Sequence, residues 1–227
     1  MSTYLELCNI VAKECGNDPL ASVTGQTGNR ADTVRWVGEA WMDVQRAQRW
    51  WLWMREAFSF STVAAQQAYT PRDAVPTGVA LTDFREWHID SLRIYSSVAD
   101  EQHLTFKDYQ AFRDTYQFGS ISTQQNRPTV FTVRPKDKAL MLAYIPDAVY
   151  TVRGDYQKRA TEFASATDEP DMPDEFHMLV AYGAMMKYAY AENAAEVLSR
   201  AKESWGILMK QLMADQLPAI CNAEPLF

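Results

Sequence analysis

The stretch ADTVRWVGEAWMDVQRAQRWWLWMRE, residues 31–56, decides the fold, because five of the seven tryptophans of this 227-residue chain lie within it. Apolar side chains recur near a 3.6-residue spacing along most of it, which predicts an amphipathic helix over about residues 29–53. Its end, residues 50–54, is apolar on every side, and such a large aromatic area is costly to leave in water. We expect Trp51 and Leu52 to be buried there, under the rest of the chain or another protein.

Helices are also predicted at both ends of the chain. Thr3 and Glu6 form the capping-box pattern of a helix N-terminus, ahead of an apolar stripe, and Gly16 is suited to end that helix. In the last third, Pro173 precedes an apolar face at helical spacing, and Pro218 ends a further helix. The order predicts two N-terminal and two C-terminal helices.

The middle of the chain changes to a two-residue period, which is typical of strands with one apolar face. Phe58 and Phe60 alternate with serines, and we predict a hairpin between this strand and residues 67–70. Near Ser91 the alternation of apolar and polar residues shifts by one position, which indicates a β-bulge in a later strand. Residues 130–143 are predicted to form a second hairpin, around a Pro-Lys-Asp-Lys turn. Four to six strands and a short helix are therefore expected between the helical parts.

The predicted fold class is α+β: mainly a helical bundle, of two N-terminal and two C-terminal helices, with an inserted antiparallel β-rich subdomain. A chain of 227 residues is long enough to bury a core in one domain with such an insertion. The expected parts are the N-terminal helices of the bundle at 1–56, the β-rich subdomain with its short helix at 57–160, the C-terminal helices at 161–216 and a C-terminal docking tail at 217–227.

Charge and cysteine content argue against several classes of protein. The net charge of −7 argues against tight binding to nucleic-acid phosphates, which requires a basic surface. The three cysteines, Cys8, Cys15 and Cys221, cannot all pair within one chain, and we expect buried free thiols in a protein made in a reducing cytoplasm. The first residues lack the pattern of a signal peptide, and no segment approaches the about 20 apolar residues of a membrane span. We expect a soluble protein.

No motif predicts a catalytic, cofactor-binding or metal-binding residue. One carboxylate cluster lacks the ligand spacing of a calcium loop, and the solvated start of a helix explains it better. Its members are Asp168, Glu169, Asp171, Asp174 and Glu175. His177 lies three residues after Asp174, on the same helix face, but His88 and His103 have no partner at ligand spacing, so a zinc site is not expected. An enzyme whose site assembles from distant residues stays an alternative.

The tryptophans divide into core residues and candidates for a partner interface. Helical spacing predicts core packing for Trp36, Trp41 and Trp51. For Trp50 and Trp53, burial within this chain and burial against a partner are both open. A base-stacking platform is a further alternative, because arginines flank the segment, but the net acidity disfavours it.

Five stretches carry a resemblance to a known family. They are LCNIVAKECG at 7–16, SVTGQTGNRADTVRWVGEAWMDVQ at 22–45, WWLWMREAFSFST at 50–62, YTVRGDYQKRA at 150–160 and DEPDMPDEFHMLVAYGAMMKYAYAENA at 168–194. Together they resemble the adaptor (head-completion) proteins of the head-to-tail connector in tailed bacteriophages. The resemblance covers most of the chain and rests on helix faces and strand ends rather than on one diagnostic motif.

The resemblance implies a structural virion protein without catalytic residues or cofactors. Members of this group form a ring, commonly of twelve copies, beneath the portal protein, and join it to tail or nozzle proteins around a DNA channel. It therefore implies a homo-oligomeric ring, portal and tail proteins as partners, DNA only as transiting cargo, no membrane, and a place in the virion after synthesis in the host cytoplasm. The alternatives are a tail-completion or terminator protein, and a small soluble enzyme or ligand-binding domain.

The C-terminal tail is the second candidate interface on this resemblance. It is short, contains proline and ends in two large apolar residues, so it is suited to fold on docking to the portal or a neighbouring copy. Plain terminal disorder is the alternative. Its candidate contact residues are Leu217, Ile220, Leu226 and Phe227.

Overall fold

The chain forms five α-helices and nine β-strands along residues 2–71 and 81–218, which are the residues that this computed structural model describes. The helices are α1 (Tyr4–Glu14), α2 (Asn29–Arg46), α3 (Tyr109–Tyr116), α4 (Met178–Glu192) and α5 (Ala195–Gln216). The strands are β1 (Arg55–Ser61), β2 (Ala68–Tyr69), β3 (Phe84–Trp87), β4 (Arg93–Tyr95), β5 (Gln102–His103), β6 (Thr105–Phe106), β7 (Val130–Val133), β8 (Leu140–Leu142) and β9 (Thr151–Lys158). The predicted α+β class is confirmed.

Two compact units divide the chain. Met1–Met54 together with Ala160–Phe227 forms one, which we call the helical unit, and Arg55–Arg159 forms the other, which we call the β unit. The helical unit is thus made of two separate segments, while the β unit is continuous in sequence.

Helix α1 begins and ends as its sequence predicts. The Thr3 hydroxyl accepts a hydrogen bond from the Glu6 amide at 3.3 Å, and the Glu6 carboxylate accepts one from the Thr3 amide at 2.9 Å. This reciprocal pair is a capping box, which satisfies two amides that the first helical turn leaves open. At the other end, Gly16 has a φ of 72°, a conformation that glycine adopts without steric cost.

Helices α2 and α4 approach each other closely at two small residues. A Cβ atom added to Gly183 of α4 would lie 3.0 Å from the Cβ of Ala40 on α2. At the rim of the same helix pair, the Lys187 ammonium lies 2.8 Å from Asp43 and 3.5 Å from Glu39. Burial lowers the pKa of Lys187, but the hydrogen bond and charge of Asp43 and the charge of Glu39 outweigh it and raise the pKa.

The β unit contains two sheets, and their strand pairing corrects one prediction. The first sheet has the order β1-β9-β4-β5, with β3 also paired to β9, and the second has the order β2-β8-β7-β6. The predicted hairpin between Phe58–Phe60 and residues 67–70 is wrong, because β1 pairs with β9 and β2 with β8. The eight-residue β9 pairs with all seven residues of β1, whereas β2 is only two residues long.

Two further expectations for the β unit have different outcomes. Strands β7 and β8 form the predicted antiparallel hairpin, and the described strand pairs are antiparallel except β6 with β7, which is parallel. The shift in alternation near Ser91 is not a bulge but a 3₁₀ turn, Ile89–Ser91, which separates β3 from β4. The Ser91 hydroxyl donates to the His88 carbonyl at 2.7 Å and accepts from the Asp155 amide at 2.8 Å, which fixes this turn against β9.

Both cysteines in the described residues are free thiols, and we expect them to react slowly. Cys8 is buried and Cys15 is half-buried. Burial raises the pKa of the Cys8 thiol to about 12, and burial together with the nearby Glu14 carboxylate raises that of Cys15 to about 11. Because the thiolate is the reactive form, a rise of about two pKa units lowers reactivity at neutral pH roughly 100-fold.

Thiol-labelling kinetics test this expectation. Cys221 lies outside the described residues, so the measurement uses a Cys221→Ser variant with Ellman's reagent at pH 8, with and without denaturant. We expect both thiols to react at least about 100-fold more slowly in the folded chain, and Cys8 more slowly than Cys15. Rapid labelling of either thiol without denaturant contradicts the burial shown here.

Candidate functional site

Helix α2 ends earlier than its sequence predicts, and Trp51 explains why. The helix stops at Arg46 instead of continuing to about residue 53, and the chain resumes as a 3₁₀ turn at Leu52–Met54. Leaving the helix allows the Trp51 ring to be fully buried. Its indole N–H donates to the Val44 carbonyl at 3.1 Å, and the same carbonyl accepts from the Ala47 amide at 3.3 Å at the end of the helix.

The outcome for Leu52 is opposite to the prediction. Its side chain is 41% exposed, while Met54 at the end of the same 3₁₀ turn is buried. A three-residue turn cannot direct consecutive side chains to the same face, so burying Trp51 and Met54 turns Leu52 outward. Leu52 therefore adds apolar surface next to the candidate interface residue Trp50.

Trp53 belongs to a row of five stacked aromatic rings within the helical unit. Its ring centroid lies 6.2 Å from that of Trp51 and 5.5 Å from that of Trp41. The row continues from Trp41 to Phe163 at 5.5 Å and from Phe163 to Tyr4 at 4.5 Å. The indole N–H of Trp53 is buried and has no hydrogen-bond partner among the described residues. An unpaired buried donor costs about 1–3 kcal/mol, which the stacking offsets in part.

Trp50 is half-buried and lies under a guanidinium group. The Arg49 Cζ atom is 5.1 Å from the centroid of the Trp50 ring, a cation–π arrangement. Tryptophan and arginine are the residue types most enriched at the energetic centres of protein interfaces. With Leu52, these residues form a partly apolar surface, which we call the tryptophan surface: Arg49, Trp50 and Leu52.

The base of the C-terminal tail lies at the same end of the helical unit. Leu217 is half-buried against the helical core, and its amide donates to the Met213 carbonyl at 3.2 Å. The Gln48 amide is 3.9 Å from the Met213 sulfur, which places the end of α5 beside the chain that leads into Trp50. The other tail candidates, Ile220, Leu226 and Phe227, lie outside the described residues.

Sequence reasoning missed Phe163, although the ring stacks between two others. It stands alone in the polar stretch TEFASAT, residues 161–167, which gives no periodic pattern. Gln45 positions this stretch, because its side-chain amide donates to the Thr161 carbonyl and accepts from the Thr161 amide, both at 2.9 Å. The burial of Gln45 follows from the fold and was not a signal in the sequence.

Asp168 of the acidic cluster and His177 have structural roles. The Asp168 carboxylate accepts hydrogen bonds from the Ser165 hydroxyl at 2.6 Å and from the amides of Ser165 and Ala164, and these bonds lower its pKa. His177 is buried, with Nδ1 accepting from the Ser2 amide at 3.1 Å and Nε2 3.0 Å from the Met172 carbonyl. Within residues 2–71 and 81–218, no group of three or more His, Cys, Asp or Glu side chains is arranged to hold a metal ion.

The comparison with known families decides what kind of protein carries these surfaces. The family model described as SU10 adaptor protein matches residues 2–220, which is nearly the whole chain. The chain belongs to the SU10 adaptor protein family. The resemblance to phage head-to-tail adaptors is thereby confirmed, and this adaptor is a structural protein of the phage virion. No curated protein matches it. None of the helices in the described part of the chain is both long and apolar enough to cross a bilayer.

Proposed function

We propose that this SU10-family adaptor forms a ring that joins the portal protein to the tail or nozzle proteins and leaves a channel for DNA. The observation that carries the proposal is the family match over residues 2–220. We propose twelve copies in the ring, a role without catalysis or cofactor, and the virion as its location. The four helices of the helical unit would act as one bundle, and the tail at 217–227 as a docking segment.

The distribution of charge supports a channel that DNA crosses without binding. The helical unit has 9 basic and 17 acidic residues, a net charge of −8, whereas the β unit has 13 basic and 12 acidic residues, a net charge of +1. A surface rich in carboxylates repels phosphate groups and therefore does not retain DNA. The excess of negative charge thus belongs to one unit of the adaptor rather than to the whole chain.

Electron microscopy of the adaptor mixed with purified portal protein tests this function. We expect twelvefold rings of adaptor on the end of the portal that faces the tail, and no such rings in samples of the portal alone. An adaptor that stays monomeric and indifferent to the portal contradicts the proposal.

The tryptophan surface and the tail are the proposed docking elements, and their removal gives a specific prediction. Trp50→Ala, and separately the deletion of residues 219–227, should each weaken portal binding by about tenfold or more, as loss of a central interface contact does. Because Trp50 is only half-buried, Trp50→Ala should change the melting temperature of the adaptor little. Its main effect should be on the affinity for the portal.

Binding assays on immobilised portal, combined with thermal unfolding, check this prediction. The matched control is Tyr190→Ala, which removes an aromatic ring that is 69% exposed on α4. We expect the control to bind as the unmodified adaptor does. If Trp50→Ala and Tyr190→Ala weaken portal binding equally, exposed aromatic side chains in general, and not the tryptophan surface, determine docking.

A further inference from the structure

The open face of the five-stranded sheet carries a row of basic side chains that the proposed function does not use. Ser59 of β1 lies opposite Arg153 of β9. On the other side of β9, Arg153 lies opposite Arg93 of β4, and Arg93 in turn lies opposite His103 of β5. Cross-strand partners project from the same face of a sheet. We call the three basic residues, together with the neutral Ser59 at the end of the line, the basic row.

The basic row lines a groove that is open to solvent. The groove has a volume of about 650 Å³, and the four residues of the row contribute to its walls. Its lining includes the small side chains Ala57 and Ser59 of β1, together with Tyr95 and the arginines. An extended segment of another chain therefore has room to reach the arginines.

The charges in the row are only partly compensated. Like charges directly opposite each other destabilise a sheet. Arg153 is compensated, because its guanidinium donates two hydrogen bonds of 2.6 Å to the Glu101 carboxylate and lies 5.4 Å from the centroid of the Tyr95 ring. Arg93 has neither an ion pair nor a side-chain hydrogen bond among the described residues. Its five donors in a planar fork are suited to a carboxylate.

The carboxylates already in the groove do not fill this role. Asp155 pairs with Arg55, whose Nε is 2.8 Å from the carboxylate. Asp90 lines the groove but makes no ion pair among the described residues. Arg93 is half-buried, and a half-buried cation gains more from a carboxylate partner than an exposed one.

The adaptor itself contains a complementary surface. Residues 160–186 of the helical unit hold six carboxylates and no lysine or arginine. We call residues 162–175, in which all six lie, the acidic segment. Glu169 and Glu175 within it are exposed and make no ion pair with any residue that the structure describes. The charge of the helical unit, −8, comes largely from this segment.

We propose that the basic row binds carboxylates of the acidic segment of a second copy, so that the β unit of one adaptor contacts the helical unit of the next. The guanidinium fork of Arg93 donates hydrogen bonds to one carboxylate, and Arg153, which Glu101 already compensates, lies opposite Arg93 across the sheet. The contact joins two unlike surfaces, which is the kind of contact that a ring requires when the rotation between copies closes. The inference rests on the proposed ring and names the surfaces that hold neighbouring copies together.

Charge reversal in separate chains tests the contact between copies. Arg93→Glu should place a negative charge opposite the acidic segment, and Glu169→Lys combined with Glu175→Lys should place positive charges opposite the basic row. For each variant alone, we expect the amount of adaptor assembled on the portal to fall at least tenfold, because the two surfaces in contact then carry the same sign of charge. In an equimolar mixture the two variants should assemble again, since both kinds of contact in an alternating ring are favourable.

Native mass spectrometry and electron microscopy of portal-bound adaptor measure the assembly. Arg93→Gln, which removes the charge without reversing it, should lower assembly in the same direction but less. The matched control is Arg85→Glu, because Arg85 is an exposed arginine of the β unit outside the row. Thermal unfolding should show that each variant alone is folded, and Arg93→Glu should melt at no lower temperature than the unmodified adaptor, because it removes the repulsion between Arg93 and Arg153.

Three results would overturn the inference. One is Arg93→Glu assembling as well as Arg85→Glu, and another is a mixture that fails to assemble; in both cases the unmodified adaptor still forms rings and the proposed function stands. The third is binding of a short DNA duplex by the adaptor that Arg93→Glu abolishes without changing assembly, which would assign the row to phosphates. If the unmodified adaptor forms no ring on the portal, the proposed function fails as well.

Discussion

Trp51→Ala is expected to lower the free energy of unfolding of the helical unit by about 3–5 kcal/mol. The Trp51 ring is fully buried, and its removal leaves a cavity that the neighbouring rings of Trp53 and Trp41 cannot fill without breaking their stacking. The change also leaves the Val44 carbonyl without the indole donor. Chemical denaturation followed by far-UV circular dichroism measures the effect without depending on tryptophan fluorescence.

Two further variants separate the contributions of Trp51. Trp51→Phe keeps much of the apolar ring area and removes the indole N–H. It should therefore lower the free energy of unfolding less than Trp51→Ala does. Trp50→Ala removes a half-buried ring from the adjacent position and should cost less than Trp51→Ala. Equal losses of stability for the alanine changes at positions 50 and 51 would show that Trp51 is not the buried anchor described here.

Gly183→Ala is expected to destabilise the adaptor by about 1–3 kcal/mol, although alanine favours a helix over glycine by about 1 kcal/mol. The added Cβ atom would lie 3.0 Å from the Cβ of Ala40, which is closer than van der Waals contact allows. Ala40 cannot relieve this contact by rotating its side chain, because its Cβ is fixed to the backbone of α2. The two helices must therefore move apart. Thermal or chemical unfolding measures the loss.

The chain offers a matched control and a rescue for this prediction. Gly206 on α5 has open space where a Cβ atom would be placed, so Gly206→Ala should stabilise by up to about 1 kcal/mol. Ala40→Gly in the Gly183→Ala background should recover part of the loss, since it removes the opposing Cβ. A Gly183→Ala variant as stable as Gly206→Ala would contradict the close helix packing.

Local sequence signals predicted the parts of the fold that local interactions determine. The capping box at Thr3 and Glu6 gave the start of α1, and residues 130–143 with their Pro-Lys-Asp-Lys turn gave the hairpin of β7 and β8. The end of α2 could not be predicted in the same way. It depends on a hydrogen bond from Trp51 back to Val44 and on rings that come from the other end of the chain.

The candidate site shows the same limit more strongly. The tryptophans were visible in the sequence, but the outward position of Leu52 follows from the 3₁₀ turn. The basic row was not visible, because Ser59, Arg93, His103 and Arg153 are far apart in sequence and become neighbours only through the register of four strands. Long-range register of this kind cannot be derived from spacing along one sequence.

The split of the helical unit into two segments has a consequence for synthesis on the ribosome. Helix α2 is complete before the β unit is made, and its partner α4 begins only at Met178. At about 5–20 residues per second, the aromatic face of α2 waits on the order of ten seconds for α4 to emerge. The β unit, which is continuous, can fold during this interval. The nascent adaptor therefore exposes the aromatic face of α2 until α4 has emerged.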